Sequence, residues 1–153
     1  MNTVAEAPSS VLANIVLPLV SRGLLVPNAA VAEVVLAGQL NSAVSSPFLL
    51  GYMVWREQEI PVVSFEGLLD GHLPEGLALR QMAILHGITD RQKMPFFALA
   101  LSAVPRLVRL RDSDIVPMET EANPLIHSQV RAVDLKLMIP DWDRFEEEII
   151  AVL

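Results

Sequence analysis

The three histidines are the first side chains of this sequence to consider for acid–base or metal chemistry. They are widely separated in the chain, at His72, His86 and His127. Histidines that share a metal ion usually stand only a few residues apart, and none of these three has such a neighbour. The sequence also lacks cysteine, which excludes thiolate ligands and disulfides and suits a reducing cytoplasm. We therefore predict no metal site, and surface or structural histidines.

Carboxylate pairs and glycine motifs give no stronger indication of catalysis. General acid–base catalysis needs buried or crowded carboxyl groups, whereas these groups have the spacing of solvated turns and of a helix with acids at its positive end. The seven glycines form neither a dinucleotide-binding motif nor a phosphate-binding loop, and no nucleophile elbow is present. We predict a protein that is not an enzyme and binds no cofactor. The carboxylate groups are Asp112/Asp114, Asp141/Asp143 and Glu146–Glu148.

Two charged residues stand out because they lie at or within strongly apolar segments. Arg56 ends the apolar run 49–55 and is followed by polar residues and by a second apolar run, 60–65. Glu33 interrupts the apolar run 31–36. Each is either an exposed structural position, at a hairpin tip or on an outward strand face, or part of a binding site. Arginine is a common interface anchor because its guanidinium group is a rigid fork of hydrogen-bond donors.

The two apolar runs around Arg56 predict a pair of strands joined by a tight connection. The first run is apolar on both of its alternating faces, with Leu50, Tyr52 and Val54 on one face. Such a strand is expected to be covered on both faces, inside a two-layer or barrel structure.

Composition and charge exclude several classes of protein. Hydrophobic residues make up 52% of the 153 residues, and the formal net charge is −7. Nucleic-acid binding needs a basic surface, so we do not expect a nucleic-acid partner. The longest apolar run, 11–20, is shorter than the roughly 20 residues of a membrane span, and the segment before Arg22 lacks the basic residues of a secretory signal. We expect a cytoplasmic protein without direct membrane insertion.

The remaining segments predict a mainly β chain that ends in a helix. Short apolar runs separated by turn residues recur from residue 15 to residue 139, and Ser64 and Asp141 are suitable N-caps for a short internal helix and for the C-terminal helix. Residues 1–10 are predicted to be a disordered tail, and residues 11–153 a single domain. The loop 72–79 is the predicted approximate boundary between two lobes.

The segments around Glu33 and Arg56 resemble the CheW-like domain family. The resemblance lies in a valine-x-glutamate strand at 31–35, a proline-led approach at 46–48, a strand opened by Gly51 and ended by Arg56, and an Ile-Pro-Val return strand at 60–65. It is dense from about residue 26 to residue 69, thins to generic strand spacing from 80 to 137, and resumes weakly in the last strand and helix.

The resemblance implies a fold of two small five-stranded β-barrel subdomains around a shared hydrophobic core, with a short C-terminal helix. It also implies a non-enzymatic adaptor in chemotaxis-like signal transduction. Such adaptors bind the CheW-like regulatory domain of a CheA-type histidine kinase and the cytoplasmic tip of a methyl-accepting chemoreceptor. By position, Glu33 and Arg56 match the family's glutamate and arginine, and Gly51 matches its strand-opening glycine. Glu57 follows Arg56 directly, and these four residues are the predicted partner-binding residues.

The sequence departs from the family pattern at two places. Glu57 stands where the family usually has glycine, which predicts a less tight and more acidic hairpin tip. Residues 102–104 lack the acid that the second subdomain commonly carries before its valine. The segment 52–56 is closer to the CheW-like proteins of type IV pilus (twitching motility) systems, such as ChpC, than to flagellar CheW. The alternative interpretation of the whole chain is a β-barrel that binds a small ligand in an apolar pocket.

Overall fold

The structure is a computed structural model that describes residues 11–41 and 46–153, and short β-strands form most of it. The predicted disordered tail, 1–10, lies outside the described residues. The strands are β1 (Leu12–Pro18), β2 (Gly23–Pro27), β3 (Val31–Leu36), β4 (Leu49–Trp55), β5 (Gln58–Val63), β6 (Gln81–His86), β7 (Phe96–Leu101), β8 (Arg106–Leu110), β9 (Val116–Met118), β10 (Ile126–Ala132) and β11 (Leu135–Pro140). The helices are α1 (Phe65–Asp70) and α2 (Trp142–Ile150), with 3-10 turns at Asn28–Ala30 and Asp112–Asp114.

The strands form two sheets that share one topology. The five-stranded sheet has the order β3-β6-β7-β5-β4, and the six-stranded sheet has the order β8-β1-β2-β11-β10-β9. Strand for strand, the first five members of each order correspond, and each sheet holds one parallel pair, β5 with β7 and β2 with β11. A helix follows β5 in one half and β11 in the other. The chain is therefore an internal duplication of one architectural unit, with β9 as an addition.

Three hydrophobic clusters hold the two sheets and the two helices together. One cluster lies on the five-stranded sheet around Met53, Ile60 and Met82, and another on the six-stranded sheet around Val16 and Val130. The third and largest cluster contains side chains of both sheets and both helices. The fold is thus two β-units packed on a shared apolar core.

The two helices cover the shared core and begin where the sequence predicts. The Ser64 hydroxyl accepts a hydrogen bond from the Gly67 N–H at 3.0 Å, and the Asp141 carboxylate accepts one from the Arg144 N–H at 3.1 Å, so both residues are N-caps. Phe65 and Phe145 are fully buried and meet edge to face, with ring centroids 4.9 Å apart. None of the described helices has the length and apolar character needed to cross a membrane.

The predicted mainly β class with two strand systems, a shared core and a C-terminal helix is confirmed. Among the described residues the strand ladders do not close into rings, since β3 and β4 end one order and β8 and β9 end the other. The sixth strand of the longer order, β9, has no counterpart in the five-stranded sheet. It forms because residues 116–118 pair with β10.

The prediction that β4 is covered on both faces holds for most of the strand, because its side chains enter two different hydrophobic clusters. Leu49 is buried in the shared core and Tyr52 packs against it, whereas Met53 and Trp55 are buried in the cluster on the five-stranded sheet. β4 is nevertheless an edge strand in the strand order, and Val54 near its end is 65% exposed. The predicted boundary loop, 72–79, does not separate the two sheets, because β5 and β6 on either side of it belong to the same sheet. The chain changes sheet between β2 and β3 and again between β7 and β8.

Candidate partner-binding site

Arg56 and Glu57 form the two-residue turn between β4 and β5. Trp55 pairs with Gln58 across the turn, and the two turn residues have φ values of 48° and 65°. Positive φ at both central positions is the signature of a type I′ hairpin turn. The expectation that Glu57 loosens the hairpin tip is therefore wrong, because the turn is as short as hairpin turns become. The turn presents the Arg56 side chain to solvent, with 66% of it exposed.

Glu33 approaches this turn from the opposite edge of the same sheet. The indole N–H of Trp55 donates a hydrogen bond to Glu33 Oε1 at 2.9 Å. β3 and β4 stand at the two ends of the strand order, so a bond between their side chains requires the sheet to curl until its edges meet. A backbone bridge between Asn41 and Tyr52 supports the same closure.

The Arg56 guanidinium group lies over the Trp55 ring, with Cζ 4.5 Å from the ring centroid. One of its terminal nitrogens is 3.6 Å from Glu33 Oε1. The ion pair is exposed and contributes little to stability, but the cation–π contact and the carboxylate together set the orientation of the guanidinium group. Within residues 11–41 and 46–153 the Arg56 guanidinium group makes no hydrogen bond, and the side chain is 66% exposed, so its donors are accessible to a partner. Glu33, Trp55 and Arg56 are called the rim cluster below.

Gly51 does not belong to the rim cluster. It lies at the start of β4, four residues before Trp55 and hence roughly 13 Å away along the strand. The strand register shifts between Leu49 and Gly51, and Gly51 adopts φ 146°, a value that favours glycine. Gly51 is buried, so its own role is to shape the bulge that starts the strand.

Exposed apolar side chains flank the rim cluster on both strands. Val54 precedes Trp55 and is 65% exposed, and Leu36 on β3 is 74% exposed. Val34 follows Glu33 and is also exposed. An oriented arginine among exposed apolar side chains is the composition of a protein–protein interface core.

The described residues contain no group of three or more histidine, aspartate or glutamate side chains that could hold a metal ion. The three histidines are exposed at separate places on the surface. Asp112 and Asp114 lie in an exposed 3-10 turn, where the Asp114 carboxylate accepts a hydrogen bond from the Arg111 backbone N–H. These carboxylates therefore have a local structural role.

Two buried glutamates join the halves of the molecule and are not among the predicted site residues. Glu66 of α1 accepts hydrogen bonds from the Val20 N–H at 2.7 Å, and from the N–H and hydroxyl of Ser21 at 3.2 and 2.8 Å. Val20 and Ser21 form the turn between β1 and β2, in the other sheet. Glu66 is 2% exposed, so the bonds replace the water that burial removes.

Glu146 makes the reciprocal connection from α2. Its Oε1 accepts hydrogen bonds from the N–H groups of Ile88 and Thr89 at 2.8 and 3.0 Å, in the loop between β6 and β7. The expectation that Glu146 is a solvated helix residue is wrong, because it is 1% exposed. Burial raises its pKa, and the nearby Asp143 acts in the same direction, while the two backbone N–H groups oppose the rise.

The sequence contains a signal that could have identified both buried glutamates. Phe-Glu occurs at the same point of both helices, as Phe65-Glu66 and Phe145-Glu146, which is a trace of the duplication. Trp55 is a further residue of the candidate site that is not among the four predicted partner-binding residues. A buried indole N–H needs an acceptor, and Glu33 is an acid within an apolar strand, so the two could have been paired from the sequence.

Comparison with known proteins adds a structural likeness. No model of a known protein family matches this sequence, and no curated protein matches it significantly. Among solved structures, the scaffolding protein CheW of Thermoanaerobacter tengcongensis superposes with a TM-score of 0.69. The match covers 86% of this chain and 90% of that protein, at 16% sequence identity. The duplicated sheets, the shared core and this extensive superposition show that the chain has the CheW-like fold.

Proposed function

We propose that this protein is a non-enzymatic adaptor that couples chemoreceptors to a CheA-type histidine kinase in a chemotaxis-like signalling system. The observation that carries the proposal is the rim cluster on a CheW-like fold. Glu33 and Arg56 occupy the positions of the glutamate and arginine that the family resemblance ties to receptor and kinase coupling, and Trp55 holds both side chains in one place.

The chemistry of the rim cluster fits recognition of another folded protein. Exposed Val54 and Leu36 offer apolar area on the two strands that carry the rim cluster, and Arg56 offers donors whose orientation is already set. Pre-ordering a long side chain lowers the entropy that binding would otherwise cost. The proposed partners are the CheW-like regulatory domain of the kinase and the cytoplasmic tip of a methyl-accepting chemoreceptor. Glu57 lies beside Arg56 and adds a charge that sets specificity.

We further propose that the protein acts in the cytoplasm, at receptor arrays of a type IV pilus (twitching motility) system. The support for this subtype is the Tyr-Met-Val-Trp-Arg segment at 52–56, which resembles the ChpC-like members of the family. Binding of the purified protein to kinase regulatory domains from a pilus system and from a flagellar system, compared by calorimetry, tests this assignment. Tighter binding to the flagellar domain would contradict it.

The main experiment measures binding of the wild-type chain to the kinase regulatory domain and to the receptor tip. We expect dissociation constants at or below about 50 μM. Arg56→Ala and Glu33→Arg should weaken binding about tenfold or more, as expected for an anchor at an interface centre. The melting temperature should stay nearly constant in Arg56→Ala, because 66% of that side chain is exposed. Glu33→Arg also removes the acceptor of the buried Trp55 indole N–H, so some loss of stability is expected in that variant.

Arg109→Ala is the matched control, since Arg109 is an exposed strand arginine on the other sheet. It should change neither binding nor melting temperature. Absence of binding to both partners by the wild-type chain at about 100 μM would overturn the adaptor proposal. A large loss of melting temperature in Arg56→Ala would show instead that the rim cluster is structural.

A small-ligand-binding role is the second candidate function. The observation that favours it is a cavity of about 310 Å³ between α2 and the loop that joins β6 to β7, a size within the range of small-molecule sites. It lies apart from the rim cluster and has its own chemistry.

A further inference from the structure

The cavity between α2 and the β6–β7 loop has a buried floor and an open rim. Phe97 and Glu146 are buried at 0% and 1% exposure, and Trp142 is partly buried beside them. His86, Ile88 and Arg91 also line the cavity and are exposed. A ligand would therefore enter past the loop and meet aromatic side chains and a carboxyl group inside.

One carboxylate oxygen of Glu146 has no hydrogen-bond partner among the described residues. Oε1 accepts hydrogen bonds from the N–H groups of Ile88 and Thr89, whereas Oε2 is buried and has no hydrogen-bond partner among the described residues. The equivalent oxygen of Glu66 accepts a hydrogen bond from the Ser21 hydroxyl. Thr89 of the β6–β7 loop corresponds to Ser21, but its hydroxyl donates a hydrogen bond to the Asp143 carboxylate at 3.2 Å instead of to Glu146. Burying an acceptor without a donor is costly, and a donor supplied from outside the chain would remove that cost.

A positive group faces the same cavity. Arg91 is an exposed member of its lining, and no ion pair within 4.0 Å joins it to Glu146 or to another acid in the part of the chain described. The cavity therefore has a carboxyl group at its floor, a guanidinium group at its rim, and apolar walls formed by Phe97, Trp142 and Ile88.

We propose that this cavity binds a small zwitterion, an α-amino acid with an apolar side chain. The ligand's ammonium group would donate to Glu146 Oε2, and its carboxylate would pair with the Arg91 guanidinium group, which is suited to bidentate recognition of carboxylates. The ligand's side chain would pack on Trp142, and the indole face also attracts the ammonium charge. The inference goes beyond the adaptor function and does not depend on it.

Calorimetry of the full chain with L-leucine and L-phenylalanine tests the proposal. Each should bind with a dissociation constant of about 1 mM or below. N-acetyl-L-leucine lacks the ammonium group and L-leucinamide lacks the carboxylate, and each should bind at least about tenfold more weakly, because one buried or charged partner is left unpaired. No binding of either amino acid at about 10 mM would overturn the proposal. Equal binding of all four compounds would do the same, since it would indicate a water-satisfied Glu146 and unselective apolar contact.

Variants of Arg91 and Glu146 test which residue binds each end of the ligand. Arg91→Ala should make leucine and leucinamide bind equally, and Lys93→Ala, which removes another exposed cation of the same loop, should leave the discrimination intact. Glu146→Gln should remove the preference for leucine over N-acetyl-leucine. Because Arg91 is exposed, its variant is expected to fold even if the Glu146 variant does not. Unchanged discrimination in Arg91→Ala would contradict the proposed orientation.

Discussion

At the scale of single residues, the β4–β5 turn combines strain with presentation of a side chain. Arg56 and Glu57 both have left-handed backbone conformations, which are unfavourable for residues other than glycine. The turn between β10 and β11 has the same geometry at Val133 and Asp134. The strain is therefore a property of the duplicated hairpin, and only the side chains differ. The first turn carries an oriented arginine, and the second carries valine in its place.

Replacing Glu57 with glycine should stabilise the protein. Glycine adopts φ 65° without the steric cost that Glu57 bears, so we expect the free energy of unfolding to rise by about 0.5–1 kcal/mol. Urea denaturation measures the change. Glu59→Gly is the control, because Glu59 is an exposed residue of regular β5, and glycine there should lower the free energy of unfolding by a similar amount. Equal destabilisation by both substitutions would show that the turn is unstrained.

At the scale of the elements, the reciprocal glutamates explain how two short helices hold two sheets together. Each helix sends one buried carboxylate into a loop of the opposite half, Glu66 to the β1–β2 turn and Glu146 to the β6–β7 loop. Arg22 of the β1–β2 turn adds a bidentate pair with Asp70 of α1, at 2.8 and 3.0 Å. The helix–loop contacts therefore fix the relative position of the sheets as well as the ends of the elements.

Removing the Glu66 carboxylate should be strongly destabilising. Glu66→Ala leaves the N–H groups of Val20 and Ser21 without their acceptor in a partly buried place, and we expect the free energy of unfolding to fall by about 1–3 kcal/mol. Chemical denaturation measures this loss. Glu75→Ala changes an exposed glutamate of the same half and should stay within about 0.5 kcal/mol of wild type. A loss below about 1 kcal/mol in Glu66→Ala would mean that water replaces the carboxylate.

Glu146 should make stability depend on pH in the opposite sense to a salt-bridged acid. Its pKa is raised in the folded state, so the folded chain retains a proton that the unfolded chain has released. Unfolding then releases a proton, and stability falls as pH rises from about 4.3, the ordinary pKa of glutamate, through the raised pKa of the folded state. The stability of wild type relative to Glu146→Gln should decline across this window.

The control for the pH experiment is Glu147→Gln, because Glu147 is the exposed neighbour of Glu146 on α2. Its stability difference from wild type should stay flat over the same pH range. Urea denaturation at several pH values gives both curves. A flat difference for Glu146→Gln would show that the Glu146 carboxyl group titrates as in the unfolded chain.

Local patterns in the sequence predict most elements but not their neighbours. The hairpins, the N-caps Ser64 and Asp141 and the C-terminal helix follow from alternation, turn residues and capping side chains. The edge position of β4 does not, because it depends on which strands pair across the chain. Glu146 stands beside two further glutamates and has the pattern of a solvated acid. Only the packing of α2 against the β6–β7 loop shows that it is buried.

At the scale of the whole molecule, the shared core makes the two halves one cooperative unit. Phe65 and Phe145 are equivalent residues of the duplication, and they contact each other at its centre. Phe97 of β7 also meets Phe145, with centroids 5.9 Å apart. The largest cluster draws side chains from both sheets, so neither half can bury its apolar surface alone. The rim cluster and the cavity beside α2 therefore lie on one cooperatively folded unit.

A conservative change at the centre should consequently weaken both sheets together. Phe145→Leu removes an aromatic ring from a fully buried position and breaks its edge-to-face contacts, and we expect a loss of about 1–2 kcal/mol in the free energy of unfolding. Native-state hydrogen exchange should show this loss for the slowest amides of the five-stranded and the six-stranded sheet alike. Val54→Ala, an exposed change on the outer face of β4, is the control and should leave the slowest amides of both sheets unchanged. If Phe145→Leu lowers protection only in the six-stranded sheet that precedes α2, the halves unfold independently and the shared core is not a single cooperative unit.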